Sequence, residues 1–280
     1  MNEIKVFFLR LFEERDRKTL KQKLYFLAIL TLLAIPQAWA VRPFITDDAT
    51  LIGRKRIEFS NWLLIDKYSG QLWHSLNIGL NDWSELTVAG FWGYDKSKYN
   101  NLTEMSFTAP LIQAKFLVRD YEPNKLPGIT IAVGSDLPFG TGAFVPNGYG
   151  AFTFLSATQC IGEDENVLIH AQFGGTYLRE NKKDYANYNW GIGTQVKIHK
   201  GFHGIGEFIS GDPYVHNAGI GYQLGIRQFI SDNLQVDFAV GNGIGGGKNR
   251  MPLWSSCGIR WVLPTKNSST FARNGRRIMG

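Results

Sequence analysis

Gly219-Ile220-Gly221-Tyr222-Gln223-Leu224-Gly225-Ile226-Arg227 and Leu234-Gln235-Val236-Asp237-Phe238-Ala239-Val240-Gly241 decide the fold. In both stretches large apolar residues alternate with glycine or polar residues, the period of two that belongs to a β-strand. Phe229-Ile230-Ser231-Asp232-Asn233 lies between them and ends on turn formers, so the pair reads as an antiparallel hairpin. Its non-apolar face is rich in Gly and Gln and poor in charge, unlike a face washed by solvent.

The same alternation extends through the chain. It recurs over residues 72–80, 85–89, 112–118, 129–133, 169–174, 189–198 and 258–261, with weaker forms near 57–65, 150–158 and 203–210. The total is about twelve strands of roughly 8–12 residues, the length that a tilted membrane-crossing strand requires. The expected fold class is therefore all-β, an antiparallel up-and-down transmembrane β-barrel. A soluble β-sandwich is the competing architecture, because alternation alone fits any half-buried sheet.

The N-terminus sets the compartment. Residues 17–23 are basic, Leu24 to Ile35 is apolar, and Pro36-Gln37-Ala38-Trp39-Ala40 ends in an Ala-x-Ala pattern. This is the layout of a secretory signal peptide cleaved after Ala40. The apolar run is shorter than the roughly 20 residues a spanning helix needs, and nothing later is longer. The expected organisation is a signal peptide over 1–40, a barrel over 41–263 and a polar C-terminal tail over 264–280, with the barrel in the outer membrane of a Gram-negative cell.

Composition agrees. Of 280 residues 44% are hydrophobic but only 19% charged, and there are 19 Phe, 11 Tyr, 8 Trp and 31 Gly, which suits an aromatic-rich β protein better than a helical enzyme. The net charge of +6 includes an N-terminal excess, seven Lys/Arg against four Asp/Glu in residues 1–40, so no basic nucleic-acid face is expected. Cys160 and Cys257 form neither a disulfide framework nor a metal motif. They are expected at the periplasmic end of the sixth strand and midway along the twelfth, too far apart to bridge.

Turns and aromatic residues fix an orientation. Tight connections at Leu80-Asn81-Asp82-Trp83, His199-Lys200-Gly201-Phe202 and 229–233 alternate with longer polar ones at 95–101, 138–148, 179–187, 211–217 and 242–252. Short periplasmic turns and long outer loops are the barrel asymmetry. Trp92, Tyr94, Tyr177, Tyr188 and Trp190 fall near the outer strand ends, and Trp83, Phe116, Phe229 and Trp261 near the inner ends, as two interfacial girdles would.

Four pieces carry a family resemblance: Arg42-Pro43-Phe44-Ile45-Thr46-Asp47-Asp48-Ala49; Gly79-Leu80-Asn81-Asp82-Trp83-Ser84-Glu85-Leu86; Leu137-Pro138-Phe139-Gly140-Thr141-Gly142; and Gly225-Ile226-Arg227 ahead of Ser231 to Asp237. Over most of residues 42–262 the chain resembles the bacterial outer-membrane barrels of the meta-pathway phenol-degradation, or transporter-like, family. The resemblance implies a channel-type protein, linked in some relatives to uptake of aromatic compounds, and brings no catalytic residues. The tail after Pro264 departs from barrels that end on a terminal aromatic, a place Trp261 could fill.

Motifs for chemistry fail on context. Gly241-Asn242-Gly243-Ile244-Gly245-Gly246 matches a dinucleotide fingerprint, but the following Gly247 to Pro252 cannot open a phosphate-binding helix. His199 and His203 sit beside a turn, and His74 and Ser75 point to opposite faces of a strand, so neither a metal site nor a nucleophile–base pair is expected. No enzyme activity, cofactor or metal follows.

The functional signal lies in the lumen. Alternation points Glu58, Glu85, Lys115, Asp136, Lys197, Glu207, Arg227, Asp237 and Arg260 inward, together with His170, Gln172, Gln195, Gln223 and Gln235. Charge rings set pore selectivity, and most of these charges fall toward the inner mouth. Arg227 and Asp237 are expected as a diagonal cross-strand pair. The reading is a channel for passive uptake of small solutes, aromatic or apolar compounds among them. The alternative is a closed structural barrel, or a receptor or adhesin acting through its loops. Expected partners are outer-membrane lipids, the barrel-assembly machinery and a small-molecule solute, with no nucleic acid. The protein is predicted to fractionate with the outer membrane and to migrate faster in detergent gels before boiling than after. Recovery in the periplasm without a heat-dependent shift would exclude the barrel.

Overall fold

The structure is a computed structural model that describes residues 44–96, 104–145, 148–162, 165–180, 183–212, 215–245 and 251–264. The expected signal peptide and the tail beyond Pro264 lie outside the described residues. The strands are β1 (Arg56–Asp66), β2 (Ser69–Gly79), β3 (Ser84–Asp95), β4 (Glu104–Arg119), β5 (Gly128–Asp136), β6 (Gly140–Thr141), β7 (Gly148–Ile161), β8 (Val167–Glu180), β9 (Lys183–His199), β10 (Phe202–Asp212), β11 (Val215–Ser231), β12 (Leu234–Gly243) and β13 (Trp254–Pro264).

Each long strand pairs antiparallel with its sequence neighbours, and β1 pairs with β13 from Arg56↔Pro264 to Asp66↔Trp254, so the sheet closes on itself. The two-residue β6 pairs with Phe107 and Thr108 of β4, beyond the point where β5 leaves that strand at Leu111↔Asp136. It prolongs the β5 wall, and the barrel has twelve staves. Closure pairs the edge backbone groups that hydrocarbon could not satisfy.

Burial is inverted relative to a soluble sheet. Gln113, Gln195, Thr130 and Ser156 are almost wholly buried, whereas Leu224 is 64% and Phe173 60% exposed. Along β3 the inward Glu85, Thr87, Ala89 and Phe91 are buried, while the outward Val88 and Trp92 are exposed. An apolar outer surface around a polar interior is what lipid demands and water forbids, which rules out the sandwich.

Three expectations change. The connections expected at 179–187 and 211–217 are mostly strand, since β8 runs to Glu180, β9 starts at Lys183, β10 ends at Asp212 and β11 begins at Val215. Ladder pairs from Thr176↔Asn187 to Glu180↔Lys183 continue the hairpin, so its polar residues are strand extensions. Phe229 leaves the inner girdle: it is buried in the lumen, edge-on to His203 with ring centroids 5.2 Å apart. A register shift between Phe229 and Ser231 also brings Arg227 directly opposite Asp237, where a diagonal pair was expected. The other girdle rings include Trp92, exposed and tilted on Phe107 at 4.5 Å, and Trp83, stacked on Phe116 at 6.1 Å.

Cys160 is buried near the end of β7, and Cys257 opposes Leu63 and Phe238 on the lipid side of the wall; no disulfide joins them. Identical mobility with and without reductant is expected, and a Cys160–Cys257 crosslinked peptide in mass spectra would contradict the strand order.

Candidate functional site

The stretch Phe44 to Ile52 makes no strand in the wall. From the rim where β1 begins it folds back into the barrel and crosses the lumen, buried at Phe44, Thr46, Asp47, Ala49, Leu51 and Ile52. A chain without a ladder partner must find its hydrogen bonds elsewhere. Here the wall supplies them. The Ile52 N–H donates to Glu85 Oε2 at 2.7 Å, the Ala49 N–H to Thr158 Oγ1 at 2.8 Å and the Asp47 N–H to Gln172 Oε1 at 2.6 Å. The N–H groups of Ile45 and Thr46 donate to the two oxygens of Glu207, at 2.7 and 3.0 Å.

Side chains complete the lock. Lys115, itself buried opposite Glu85 on β4, reaches Asp47 at 3.0 Å and Asp48 at 3.7 Å. Removing one partner of such a buried ion pair costs about 3–5 kcal/mol, because it strands the other charge. Phe44 packs with Ile205 and Ala239, meets His170 edge-on at 5.2 Å and lies under the Arg227 guanidinium at 5.6 Å. Two glycines on β9 make room. A Cβ at Gly191 would collide with Thr46 Oγ1, and one at Gly193 would press on the Phe44 ring.

Seven of the nine charges read from the sequence either grip this segment or brace the wall around it. Glu85, Lys115 and Glu207 hold it directly. Arg227 is fixed by Asp237 at 3.0 Å and by Gln195 at 2.6 Å while it covers Phe44. Asp237 is braced in turn by Gln235 at 2.9 Å, and Glu207 by Gln223 at 2.6 Å. The remaining wall pair is Arg260 with Glu58 at 2.6 Å, and Glu58 also accepts from Asn77 and Ser60. Arg260 and Glu58 thus complete the seven. Of the other two, Lys197 lies opposite His203 near the rim that holds the chain ends, and Asp136 opposite Leu111 and Gly150 toward the far rim. His203, the second residue of β10 just past the turn, is a lumen residue bonded to Gln195 at 3.1 Å.

Beyond the segment the opposite wall turns aromatic. Inward Trp62 and Trp73 stack at 5.2 Å with planes 3° apart, Trp73 meets Phe91 at 4.4 Å, and Phe91 meets Phe144 at 5.6 Å. Trp62, Trp73, Ala89 and Leu111, with Ser75, Thr87 and Gln113, line a small half-open recess of about 30 Å³. Strand parity already put Trp73 on the inward face with Ser75 and Asn77. No sequence signal announced that Phe44 to Ile52 would enter the lumen: the segment has no strand period, and the resemblance carried by Arg42 to Ala49 implied nothing about its place.

Such a site can bind and block; its polar groups are committed to holding chain. The fold is that of an outer-membrane β-barrel. No protein-family model matches the chain, and no curated protein matches it. Solved structures do. A crystal structure of an outer membrane channel from Pseudomonas putida F1 is similar with a TM-score of 0.54 at 10% identity, covering 79% of this chain and 98% of that one. The KdgM porin is similar with a TM-score of 0.50 at 10% identity, covering 74% of this chain and 98% of the porin.

Gly191→Val is predicted to expel the inserted segment, since overpacking of this kind costs about 1–3 kcal/mol. The check is maleimide labelling of an Ala49→Cys reporter, with both native cysteines replaced by serine. Labelling should be slow with Gly191 present and about tenfold faster with valine; equal rates would show that the contact does not hold the segment.

Proposed function

We propose that the protein is an outer-membrane channel for passive passage of small solutes, obstructed in this state by its own N-terminal segment. One observation carries the reading: a barrel of twelve staves has its lumen crossed by a segment held by hydrogen bonds and one ion-pair cluster rather than by the wall ladder. Twelve strands enclose more space than an eight-stranded barrel, whose side chains nearly fill it. Cleavage after Ala40 would make Val41 the mature N-terminus, leaving the segment a free end able to swing aside.

The aromatic recess supports small apolar or aromatic compounds as the solutes. Stacked indoles offer broad apolar faces, while Ser75, Thr87 and Gln113 offer polar contacts beside them. The resemblance to the meta-pathway phenol-degradation barrels points to the same class. In this reading the protein has no catalytic role, its insertion falls to the barrel-assembly machinery, and lipids and solute are its other partners. The depth of the lock favours a second reading, a permanently closed barrel that acts through its loops.

Single-channel recording in planar bilayers separates the two. The channel reading predicts small, intermittent conductance for the wild type and larger, steadier conductance when residues 41–49 are deleted. Silence from both proteins, each shown to be folded by its heat-dependent gel shift, would favour the closed barrel.

A further inference from the structure

The outward face of the barrel carries one polar dyad in a place where lipid cannot serve it. Asn61 is the sixth of eleven residues in β1 and His74 the sixth of eleven in β2, and the two are direct cross-strand partners. Strands of about 9–11 residues are only just long enough to cross a bilayer, so the middle residue lies near the midplane. Both side chains have the outward parity. Each strand alternates them with the lumen residues Ser60 and Trp62, or Trp73 and Ser75, and His74 is exposed.

Everything around them is apolar or bare. Phe59 and Leu63 flank Asn61 along β1, Leu72 and Leu76 flank His74 along β2, and Ile259 lies beside Asn61 on β13. On the other side His74 faces Gly90 of β3, which leaves a shallow hollow next to the imidazole. Polar side chains facing hydrocarbon are costly and rarely placed there without a partner.

The dyad satisfies only half of itself. Asn61 Oδ1 lies 2.6 Å from His74 Nδ1. If Nδ1 donates, His74 Nε2 is left as an acceptor and the Asn61 amide nitrogen as a donor. If the amide is reversed, Nε2 becomes the donor and the amide oxygen the acceptor. Either way the outward surface shows one donor beside one acceptor, a pattern complementary to itself under a twofold rotation. Acyl chains at the midplane supply neither group.

We propose that this face is where a second copy of the chain docks, with the Asn61–His74 dyads of the two copies hydrogen-bonded reciprocally across a twofold axis and the Gly90 hollow admitting the close approach. An isologous pairing of this kind is the commonest form of homo-oligomer. In membranes, association depends on close packing and on hydrogen bonds of this sort, since apolar contact with a neighbour is no better than contact with lipid. The proposal rests on the barrel spanning a membrane and is independent of whether it conducts.

Cysteine crosslinking of the full chain in outer-membrane vesicles tests it, with Cys257 replaced by serine because that thiol also faces lipid. Under mild oxidation Leu72→Cys, one outward step from His74 with the dyad intact, should give a dimer band. Leu224→Cys, exposed on β11 three strands round the ring from β1, should stay monomeric. Leu76→Cys, the outward residue on the other side of His74, is a second probe should the first variant not show the heat-dependent shift of a folded barrel. Light scattering in mild detergent should find a wild-type dimer, and the double variant Asn61→Leu, His74→Leu should lower the dimer fraction about tenfold while keeping the heat shift. A monomeric wild type, a dimer that survives the double variant, or equal crosslinking from Leu224→Cys would overturn the proposal. Loss of membrane recovery would sink the channel reading with it, whereas a conducting monomer would sink this proposal alone.

Discussion

The pairing of β1 with β13 is the constraint on which the rest depends. It joins the first strand of the wall to the last, along eleven registered residue pairs from Arg56↔Pro264 to Asp66↔Trp254. In an aqueous protein an open edge is an aggregation hazard; in hydrocarbon it is a row of unsatisfied backbone groups, each worth several kcal/mol. Closure therefore decides the whole architecture, and it also creates an inside. Once the ring is complete, every second residue faces lipid and the others face a lumen separated from it.

That division explains why the protein buries polar residues and exposes apolar ones. Outward Leu224, Phe173 and Trp92 meet acyl chains or the interface, and inward Gln113, Gln195 and Glu207 meet one another or the inserted segment. Carboxylates and guanidinium groups inside a narrow lumen need partners, and the wall supplies several of its own: Arg260 to Glu58, Arg227 to Asp237 and Gln195. The remaining capacity goes to chain that is not part of the wall.

The inserted segment divides the lumen into two environments. On the β8–β12 side, Phe44 to Asp47 replaces water with main-chain donors aimed at Glu207 and Gln172. On the β1–β4 side, aromatic rings from Trp62, Trp73 and Phe91 leave a recess. The glycines at 191 and 193 show how closely wall and segment are fitted, because any side chain there would occupy the space of Thr46 or Phe44. The free space inside the barrel therefore depends on the place of the nine residues from Phe44 to Ile52 as much as on the wall that surrounds them.

Strand existence and facing were legible in the sequence because both are properties of the backbone period: successive Cβ atoms point to opposite sides wherever the chain is extended. From this alone follow the antiparallel barrel, the inward set from Glu58 to Arg260 and the lipid-side position of Cys257. Register was less legible. The irregularity at Phe229 and Ser231 moved Arg227 opposite Asp237, and pairing beyond Thr176 turned expected loop into strand. What fills the lumen was decided only by the tertiary structure. Ile45 meets Glu207 across 162 residues and Asp47 meets Gln172 across 125, contacts that no local period encodes. Glu85, Lys115 and Glu207 acquired their partners only when closure brought distant strands around the segment.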